Sequence, residues 1–173
     1  MPPSNEQSVM DAAQIQRCHT AARTLIEQRP LCWLATRAVD GGAHARAIRI
    51  GASPDGRDEW TRRFLCRRAS RKVAELRADP LATLAYQDDA GDVFVALGGS
   101  MALLDDMAPM RAMWPDSLNA LYPPGWAEAN MIVAQMEVDR VEIHARGLTR
   151  EPFGHGRTLL DRTGGGLWRY VPD

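Results

Sequence analysis

Short strand-like runs separated by turn residues follow one another along most of the chain, and this succession constrains the fold more than any other feature. The apolar run "LCWLATRA" precedes a "DGG" turn, and the alternating run "HARAIRI" follows it. Because closely spaced turns join antiparallel neighbours, these runs and the next predict an antiparallel meander. The strand-like runs cover residues 31–38, 44–50, 60–66, 81–87, 92–104 and 131–145, the last interpreted as a hairpin turning at Asp139-Arg140.

Three helical segments interrupt the strands. "DAAQIQRCHTAARTLIEQRP" predicts a helix capped by Asp11, and "SRKVAELRAD" predicts a second with Ser70 as its N-cap. "MAPMRAMW" predicts a short third helix. The pair Gly98-Gly99 inside a strand pattern predicts a bulge or a sharp bend. About seven short, mostly consecutive strands therefore predict a mainly β fold with peripheral helices, arranged as a closed or nearly closed barrel.

The length of 173 residues predicts one domain. Residues 1–10 are polar, contain two prolines, and are predicted to be disordered. Residues 11–146 form the predicted barrel, and residues 147–173 form a C-terminal hairpin extension with a turn at 164–166. Hydrophobic residues make up 45% of the chain and charged residues 25%, which is typical of a soluble globular protein.

Composition argues against several kinds of protein. No apolar run reaches 18 residues and no signal peptide is recognisable, so we expect no membrane partner. A formal net charge of -1 argues against a general nucleic-acid binder. Neither the cysteines nor the histidines have metal-site spacing, and the odd number of cysteines favours a reducing cytoplasm. These residues are Cys18, Cys32 and Cys66, and His19, His44, His144 and His155.

The start of the second helix carries an unusual concentration of positive charge. Arg71 and Lys72 occupy its first turn, where unpaired backbone N–H groups and the helix dipole already favour anions. Cations there are unfavourable unless an anion compensates them, and the Ser70 hydroxyl could donate to such an anion. The pattern predicts a phosphate site. Two other interpretations stay open: a solvated face on which Arg71 and Lys72 pair with Glu75, or nucleic-acid binding by the basic cluster 62–72.

The same segment carries a resemblance to a known family. "SRKVAELRADP", preceded by one strand and followed by another, resembles the flavin-binding split-barrel proteins related to pyridoxamine 5'-phosphate oxidase, and most of all the general stress protein 26 group. "LATRAVDGGAHARAI" resembles the opening hairpin of that family, and "DVFVALGGSMALLDD" resembles its strand with a Gly bend. "MWP…YPPG" resembles the loop after the next helix. The resemblance extends over roughly residues 12–146.

The resemblance implies an FMN-dependent oxidoreductase with a split β-barrel fold, which holds its flavin at a homodimer interface and acts on an unknown substrate. The family's phosphate contacts fall on Ser70, Arg71, Lys72 and Arg46. Its flavin-ring contacts from strand backbone fall on Ala47, Ile48, Leu65 and Cys66, where Cys66 replaces a usual threonine. No side chain is assigned as a catalytic acid or base.

Several alternatives remain open at this level. The tail "GRTLLDRTGGGLWRYVP" resembles the C-terminal hairpin of the oxidases, but His155 and Arg157 stand in the reverse of the family's Arg-x-His order. Vitamin B6 oxidase activity is therefore not predicted. A flavin sensor or store without turnover, and a deazaflavin or haem protein on the same barrel, also fit the pattern. Three aromatic residues, which could wall a planar ligand or cover the core, are Trp114, Tyr122 and Trp126.

Overall fold

Eight strands and five helical segments make up the ordered elements of the computed structural model, which describes residues 10–51, 60–149, 157–162 and 166–172. The helices are α1 (Ala12–Gln28), α2 (Arg71–Ala78), α3 (Met107–Met113), α4 (Trp126–Asn130) and a 3₁₀ helix, Asp116–Ala120. The strands are β1 (Leu31–Arg37), β2 (Ala43–Arg49), β3 (Thr61–Arg67), β4 (Leu81–Asp88), β5 (Val93–Leu104), β6 (Met131–Ala145), β7 (Thr158–Asp161) and β8 (Arg169–Val171).

The strands form one antiparallel sheet that curls into an incomplete barrel. Its order is β2-β1-β4-β5-β6-β7-β8, and β3 pairs with β6 beside this path. The Gly51 N–H donates to the Arg63 carbonyl at 2.9 Å and so connects the end of β2 to β3. Six strands thus follow one another around a ring, and within the described residues no ladder joins β2 to β3. The mainly β fold with peripheral helices, predicted from the sequence, is confirmed.

Two details of the predicted topology are wrong, and both involve β6. The predicted meander would pair β3 with β2, but β3 pairs with the first half of β6, from Arg67↔Met131 to Thr61↔Glu137. The predicted hairpin at Asp139-Arg140 does not exist, because β6 runs through it without a turn. At 15 residues, β6 is long enough for β5 to follow one edge while β3 and β7 share the other.

The predicted irregularity at Gly98-Gly99 is confirmed. The register between β5 and β6 shifts there, since Gly98 lies opposite Arg140 and Gly99 lies opposite Val138. Asp139 is therefore the extra residue of a bulge, which lets the long strand bend around the barrel. A Cβ atom on Gly99 would lie 2.1 Å from the carbonyl oxygen of Glu137, so this close approach requires glycine.

Helices α1 and α2 pack on the barrel and complete its core. Asp11 and Gln14 form a capping box at the start of α1, with reciprocal bonds of 2.7 and 3.0 Å. The buried faces of the two helices join strand residues such as the fully buried Leu34, Leu84 and Leu97 in one hydrophobic core. The helix residues in this core are Cys18, Ala22, Leu25, Ile26, Val73 and Leu76.

Some predicted features lie outside the described residues, among them the disorder of residues 1–9, residues 164 and 165 of the predicted C-terminal turn and the position of His155. The C-terminal segments that are described, β7 and β8, pair with each other, and β7 also pairs with β6. In the described part of the chain, no helix combines the length and the apolar character needed to cross a bilayer.

Candidate functional site

Ser70 occupies the N-cap position of α2, as the sequence predicts, but its hydroxyl makes no capping bond. The Ser70 Oγ atom is buried and has no hydrogen-bond partner among the described residues. A buried hydroxyl left without a partner costs about 1–3 kcal/mol relative to one that is satisfied. A ligand oxygen that accepted this hydrogen bond would therefore recover a sizeable free energy.

The first turn of α2 adds further donors beside Ser70. The N–H groups of Val73 and Ala74 donate to the Ser70 carbonyl at 3.0 and 3.3 Å, whereas those of Arg71 and Lys72 have no earlier helical carbonyl to reach. The turn contains no acidic residue. No described residue forms a hydrogen bond or an ion pair with the Lys72 ammonium group. The helix start thus combines unpaired donors with uncompensated positive charge.

Arg46 reaches the same end of the barrel from β2. Its Nη2 atom lies 2.6 Å from Glu75 Oε2, and its Nη1 atom donates to Thr36 Oγ1 at 2.5 Å. The Thr36 hydroxyl in turn donates to Glu75 Oε2 at 2.6 Å. These bonds tie the guanidinium group of Arg46 to one residue of β1 and one residue of α2.

Glu75, on the second turn of α2, is the centre of this network. Its side chain is only 2% exposed, and its Oε1 atom lies 2.6 Å from His44 Nδ1 and 3.4 Å from Arg71 Nε. Burial acts to raise the pKa of Glu75, but hydrogen bonds from Thr36, His44 and Arg46, together with the charge of Arg46, outweigh it and lower the pKa to about 2. Glu75 is therefore a carboxylate at neutral pH.

The formal charges of this cluster do not cancel. Arg46 and Arg71 pair with the Glu75 carboxylate, and Lys72 lies in the first turn of the same helix. Without counting His44, these three cations and one carboxylate leave an excess of two positive charges. A phosphate monoester carries about -1.5 to -2 charges at neutral pH. The cluster can therefore accept one such group with little net charge left over.

The open edge of β2 presents peptide groups beside this cluster. In an antiparallel strand, successive residues direct their peptide groups alternately to one neighbour and to the other. The Ile50 N–H donates to the Pro30 carbonyl at 2.8 Å. The backbone groups of the even-numbered residues of β2 therefore form the hydrogen bonds to β1. The peptide groups of Ile48 therefore face β1, and those of Ala47 face the opening between β2 and β3.

The facing edge of β3 follows the same rule. The Arg68 N–H donates to the Asn130 carbonyl at 2.8 Å, and Cys66 lies opposite Ile132 in the same register. The peptide groups of Cys66 therefore face β6, and those of Leu65 face the opening. Of the four residues predicted to lie along a flavin ring, Ala47 and Leu65 direct backbone donors and acceptors into the opening.

The Cys66 thiol lies in the barrel interior. Its Sγ atom is 3.6 Å from the Ile132 carbonyl oxygen. Burial raises its pKa to about 11, although the positive charge of Lys72 acts in the opposite direction. The thiol is therefore protonated at neutral pH and is not a nucleophile.

Comparison with known families assigns the chain to one of them. A family model described as "Pyridoxamine 5'-phosphate oxidase like" matches residues 19–147. The chain belongs to the pyridoxamine 5'-phosphate oxidase-like family. The resemblance predicted from the sequence is confirmed.

Solved structures share the fold of this pyridoxamine 5'-phosphate oxidase-like chain at low sequence identity. A Clostridium acetobutylicum protein related to general stress protein 26 is 16% identical over 84% of this chain and 95% of its own, with a TM-score of 0.67. An FMN binding protein of Nostoc punctiforme is 16% identical over 94% and 96%, with a TM-score of 0.65. A general stress FMN/FAD binding protein of Xanthomonas citri is 18% identical over 79% and 94%, with a TM-score of 0.62. No curated protein matches this chain.

The basic cluster 62–72 does not form a single charged surface in this family member. Arg63 is buried, and its Nε atom donates to Gln135 Oε1 at 2.6 Å. Arg68 pairs with Asp105 at 2.5 Å, and the Arg67 guanidinium lies 5.9 Å from the ring centroid of Trp126. The structure therefore gives the nucleic-acid interpretation less support than the sequence did.

The three aromatic residues of the segment between β5 and β6 pack on one another. The rings of Tyr122 and Trp126 are stacked with centroids 4.1 Å apart, and Trp114 lies 5.8 Å from Tyr122. A cavity of about 390 Å³ lies beside Trp114 and Tyr122. Among the described residues, no cluster of His, Cys, Asp and Glu has the arrangement of a metal site.

Sequence reasoning missed Thr36, which bonds to both Arg46 and Glu75, and His44, which bonds to Glu75. The Arg71–Glu75 pair was recognisable from its spacing, and it is present, but as a surface pair it gave no sign that Glu75 is buried. His44 and Arg46 alternate on one face of β2, which the sequence did show. Only the packing of α2 against β1 turns Glu75 toward that face.

Proposed function

We propose that the protein is an FMN-dependent oxidoreductase that binds FMN non-covalently and holds the phosphate group at the start of α2. The observation that carries this proposal is the buried Ser70 hydroxyl, which has no partner among the described residues, beside an excess of two positive charges. A phosphate group would satisfy both features at once, because it accepts hydrogen bonds and carries negative charge.

The residues present fit the phosphate end of FMN. In this proposal the Ser70 hydroxyl, the N–H groups of the first turn and the Lys72 ammonium group donate to the phosphate oxygens. Arg71 and Arg46 add positive charge beside the phosphate. The side chain of Arg71 is 67% exposed and that of Arg46 is 19% exposed, so neither guanidinium group is fully enclosed by protein. This is the set of phosphate contacts that the family resemblance implies for the sequence.

In this proposal the flavin ring lies in the opening between β2 and β3. Peptide groups of Ala47 and Leu65 would bond the polar edge of the flavin, while Ile48 and Cys66 would support it as buried neighbours on the same strands. When bound, FMN supplies the redox chemistry, and the chain contributes binding and orientation. No described side chain is assigned to proton transfer.

A second copy of the chain completes the proposed site. Three large apolar side chains on β1 and β4 are well exposed in the single chain, namely Leu31 (55%), Trp33 (52%) and Leu81 (62%). Exposed apolar groups on neighbouring strands are typical of subunit interfaces. A reducing cytoplasmic location is also part of the proposal, since all three cysteines are free thiols.

The visible spectrum of the purified protein, together with the mass of the compound released on denaturation, tests the cofactor. We expect the spectrum of an oxidised flavin and the mass of FMN. A haem or deazaflavin spectrum, or a colourless protein that binds no added FMN, would contradict the proposal.

Reduction of the FMN-loaded protein tests the oxidoreductase activity. We expect NADH or NADPH to bleach the flavin absorption anaerobically, with recovery and repeated turnover when an acceptor is added. A flavin that resists reduction by both donors would favour a sensor or storage protein instead.

A further inference from the structure

The Glu75 carboxylate lies between two arginines of the proposed phosphate site. We propose that Glu75 is a positioning residue, which holds the guanidinium groups of Arg46 and Arg71 in the orientation that binds the flavin phosphate. This inference rests on the proposed function, and it assigns a role to a residue that the sequence places in an ordinary helical pair.

The contacts around Arg46 restrict its side chain from two sides. Glu75 Oε2 accepts from Arg46 Nη2 at 2.6 Å, and Thr36 Oγ1 accepts from Arg46 Nη1 at 2.5 Å. The Thr36 hydroxyl also donates to Glu75 Oε2 at 2.6 Å. The three groups form a closed triangle of hydrogen bonds, which fixes both the position and the plane of the guanidinium group.

The second oxygen of Glu75 binds groups from two other directions. Glu75 Oε1 lies 2.6 Å from His44 Nδ1 and 3.4 Å from Arg71 Nε. Glu75 therefore connects α2 to both β1 and β2, close to the edge where β2 lacks a strand partner. We expect these side-chain bonds to hold β2 in place beside the opening, where the described residues form no ladder between β2 and β3.

Two opposite electrostatic effects decide what Glu75 does to a bound phosphate. Its negative charge repels the phosphate, but it also compensates two guanidinium groups that would otherwise repel each other. Arg46 is mostly buried, so the loss of its counter-charge would also favour another orientation of the side chain. All four groups in contact with Glu75 are hydrogen-bond donors. We therefore expect the orientation of the guanidinium groups by Glu75 to outweigh its repulsion of the phosphate.

The test compares FMN with riboflavin, which lacks the phosphate, on the full-length apoprotein by quenching of flavin fluorescence. We expect Glu75→Gln to raise the Kd for FMN about tenfold and to leave the Kd for riboflavin unchanged. Glu27→Gln, which removes an exposed carboxylate on α1, serves as the matched control and should change neither Kd.

A double-mutant cycle shows whether Glu75 acts through Arg46. In an Arg46→Gln background, Glu75→Gln should have a much smaller effect on the FMN Kd than in the wild-type protein. If Glu75→Gln fails to fold, Thr36→Val opens the same triangle and keeps the charge of Glu75. Thr36→Val should also lower the affinity for FMN and should leave the affinity for riboflavin unchanged.

The outcomes separate the two levels of the proposal. A wild-type protein that binds riboflavin as tightly as FMN would overturn the phosphate site itself. If the wild-type protein prefers FMN but Glu75→Gln binds it equally well or more tightly, only the positioning role is overturned. An equal loss of affinity for both flavins would show that Glu75 supports the fold and not the phosphate contacts.

Discussion

The buried Ser70 hydroxyl costs stability unless a ligand accepts its hydrogen bond. Ser70 occupies an N-cap position, where a serine Oγ atom normally accepts a stabilising hydrogen bond from a backbone N–H, yet its Oγ atom is buried without a described partner. Such a group is not explained by the needs of the helix. A ligand that accepts its hydrogen bond is the simplest physical explanation.

Ser70→Ala should therefore weaken FMN binding without destabilising the apoprotein. Removal of an unsatisfied buried hydroxyl should leave the apoprotein equally stable or stabilise it by about 1 kcal/mol. The Kd for FMN should rise about tenfold, since a bond to the phosphate is lost. Thermal unfolding of the apoprotein and a fluorescence titration measure the two effects.

The control for this variant is Asp106→Ala at the start of α3. Asp106 does form a capping bond, because its carboxylate accepts from the Ala108 N–H at 3.0 Å. Its loss should cost about 1 kcal/mol of stability without changing flavin affinity. A Ser70→Ala protein that lost stability as Asp106→Ala does would show that Ser70 serves the helix alone.

Glu75 makes the fold sensitive to acid. Its pKa falls from an ordinary 4.5 to about 2 in the folded chain, so its ionised form stabilises the protein above pH 4.5. This contribution is lost as the pH falls from about 4.5 toward 2. We expect the difference in unfolding free energy between wild type and Glu75→Gln to shrink over this range, as measured by urea denaturation.

The difference in unfolding free energy between wild type and Glu75→Gln separates the effect of Glu75 from that of a second acid-sensitive group, His19. Burial, followed by the charges of Arg162 and Arg23, lowers the pKa of His19 to about 4. His19 therefore also destabilises the fold as the pH falls below its ordinary value of 6.5, but it does so equally in both proteins. A difference that stayed constant down to pH 2 would contradict the depressed pKa of Glu75.

At the level of elements, strand positions were predictable from the sequence but strand partners were not. Alternation and turn residues located β1, β2 and β3 to within about one residue, because both signals are local. The pairing of β3 with β6 depends on contacts between distant parts of the chain, which local patterns do not contain. The turn-like Asp139 was misleading because a bulge inside a long strand can also accommodate it.

The candidate site was predictable to a similar extent. The helix start at Ser70 and the cation-rich first turn could be read directly, since helix caps and charge are sequence signals. The burial of Glu75 and its bonds to Thr36 and His44 could not, because they depend on how α2 lies against β1 and β2.

The bulge between β5 and β6 leads to a prediction for this element. Gly99→Ala would place a methyl group 2.1 Å from the Glu137 carbonyl oxygen, so the backbone must move. We expect a loss of roughly 3 kcal/mol in unfolding free energy, measured by urea denaturation.

Gly98→Ala is the matched control one residue away. Its new Cβ atom would lie 3.3 Å from the Cβ atom of Arg140, a side chain that can shift slightly. It should cost markedly less than Gly99→Ala. Equal losses for the two variants would show that glycine is needed for backbone freedom in general and not for the close approach at Gly99.

At the level of the whole molecule, the outer face of β1 and β4 decides the proposed assembly. Trp33 lies between Ala47 of β2 and Ala85 of β4, at the centre of this exposed apolar face. A second copy of the chain would cover it, and Trp33→Glu would place a charge there.

We expect light scattering to give the mass of a dimer for the wild-type protein and of a monomer for Trp33→Glu, with weaker FMN binding by the variant. Leu121→Glu, at an exposed apolar position in the segment between β5 and β6, is the control and should stay dimeric. A monomeric wild-type protein that binds FMN tightly would contradict the shared site.

The pairing of β3 with the distant strand β6 also has a consequence for the chain during its synthesis. β3 leaves the ribosome early, but its hydrogen-bonding partner is made only after β4, β5 and the helical segment that follows them. Until then β3 has an unpaired backbone and a partly apolar face. The nascent chain therefore cannot form this side of the barrel. Synthesis of β6 supplies this missing partner and joins β3 to β5, so we expect β3 to gain its strand pairing only after residues 131–137 have been made.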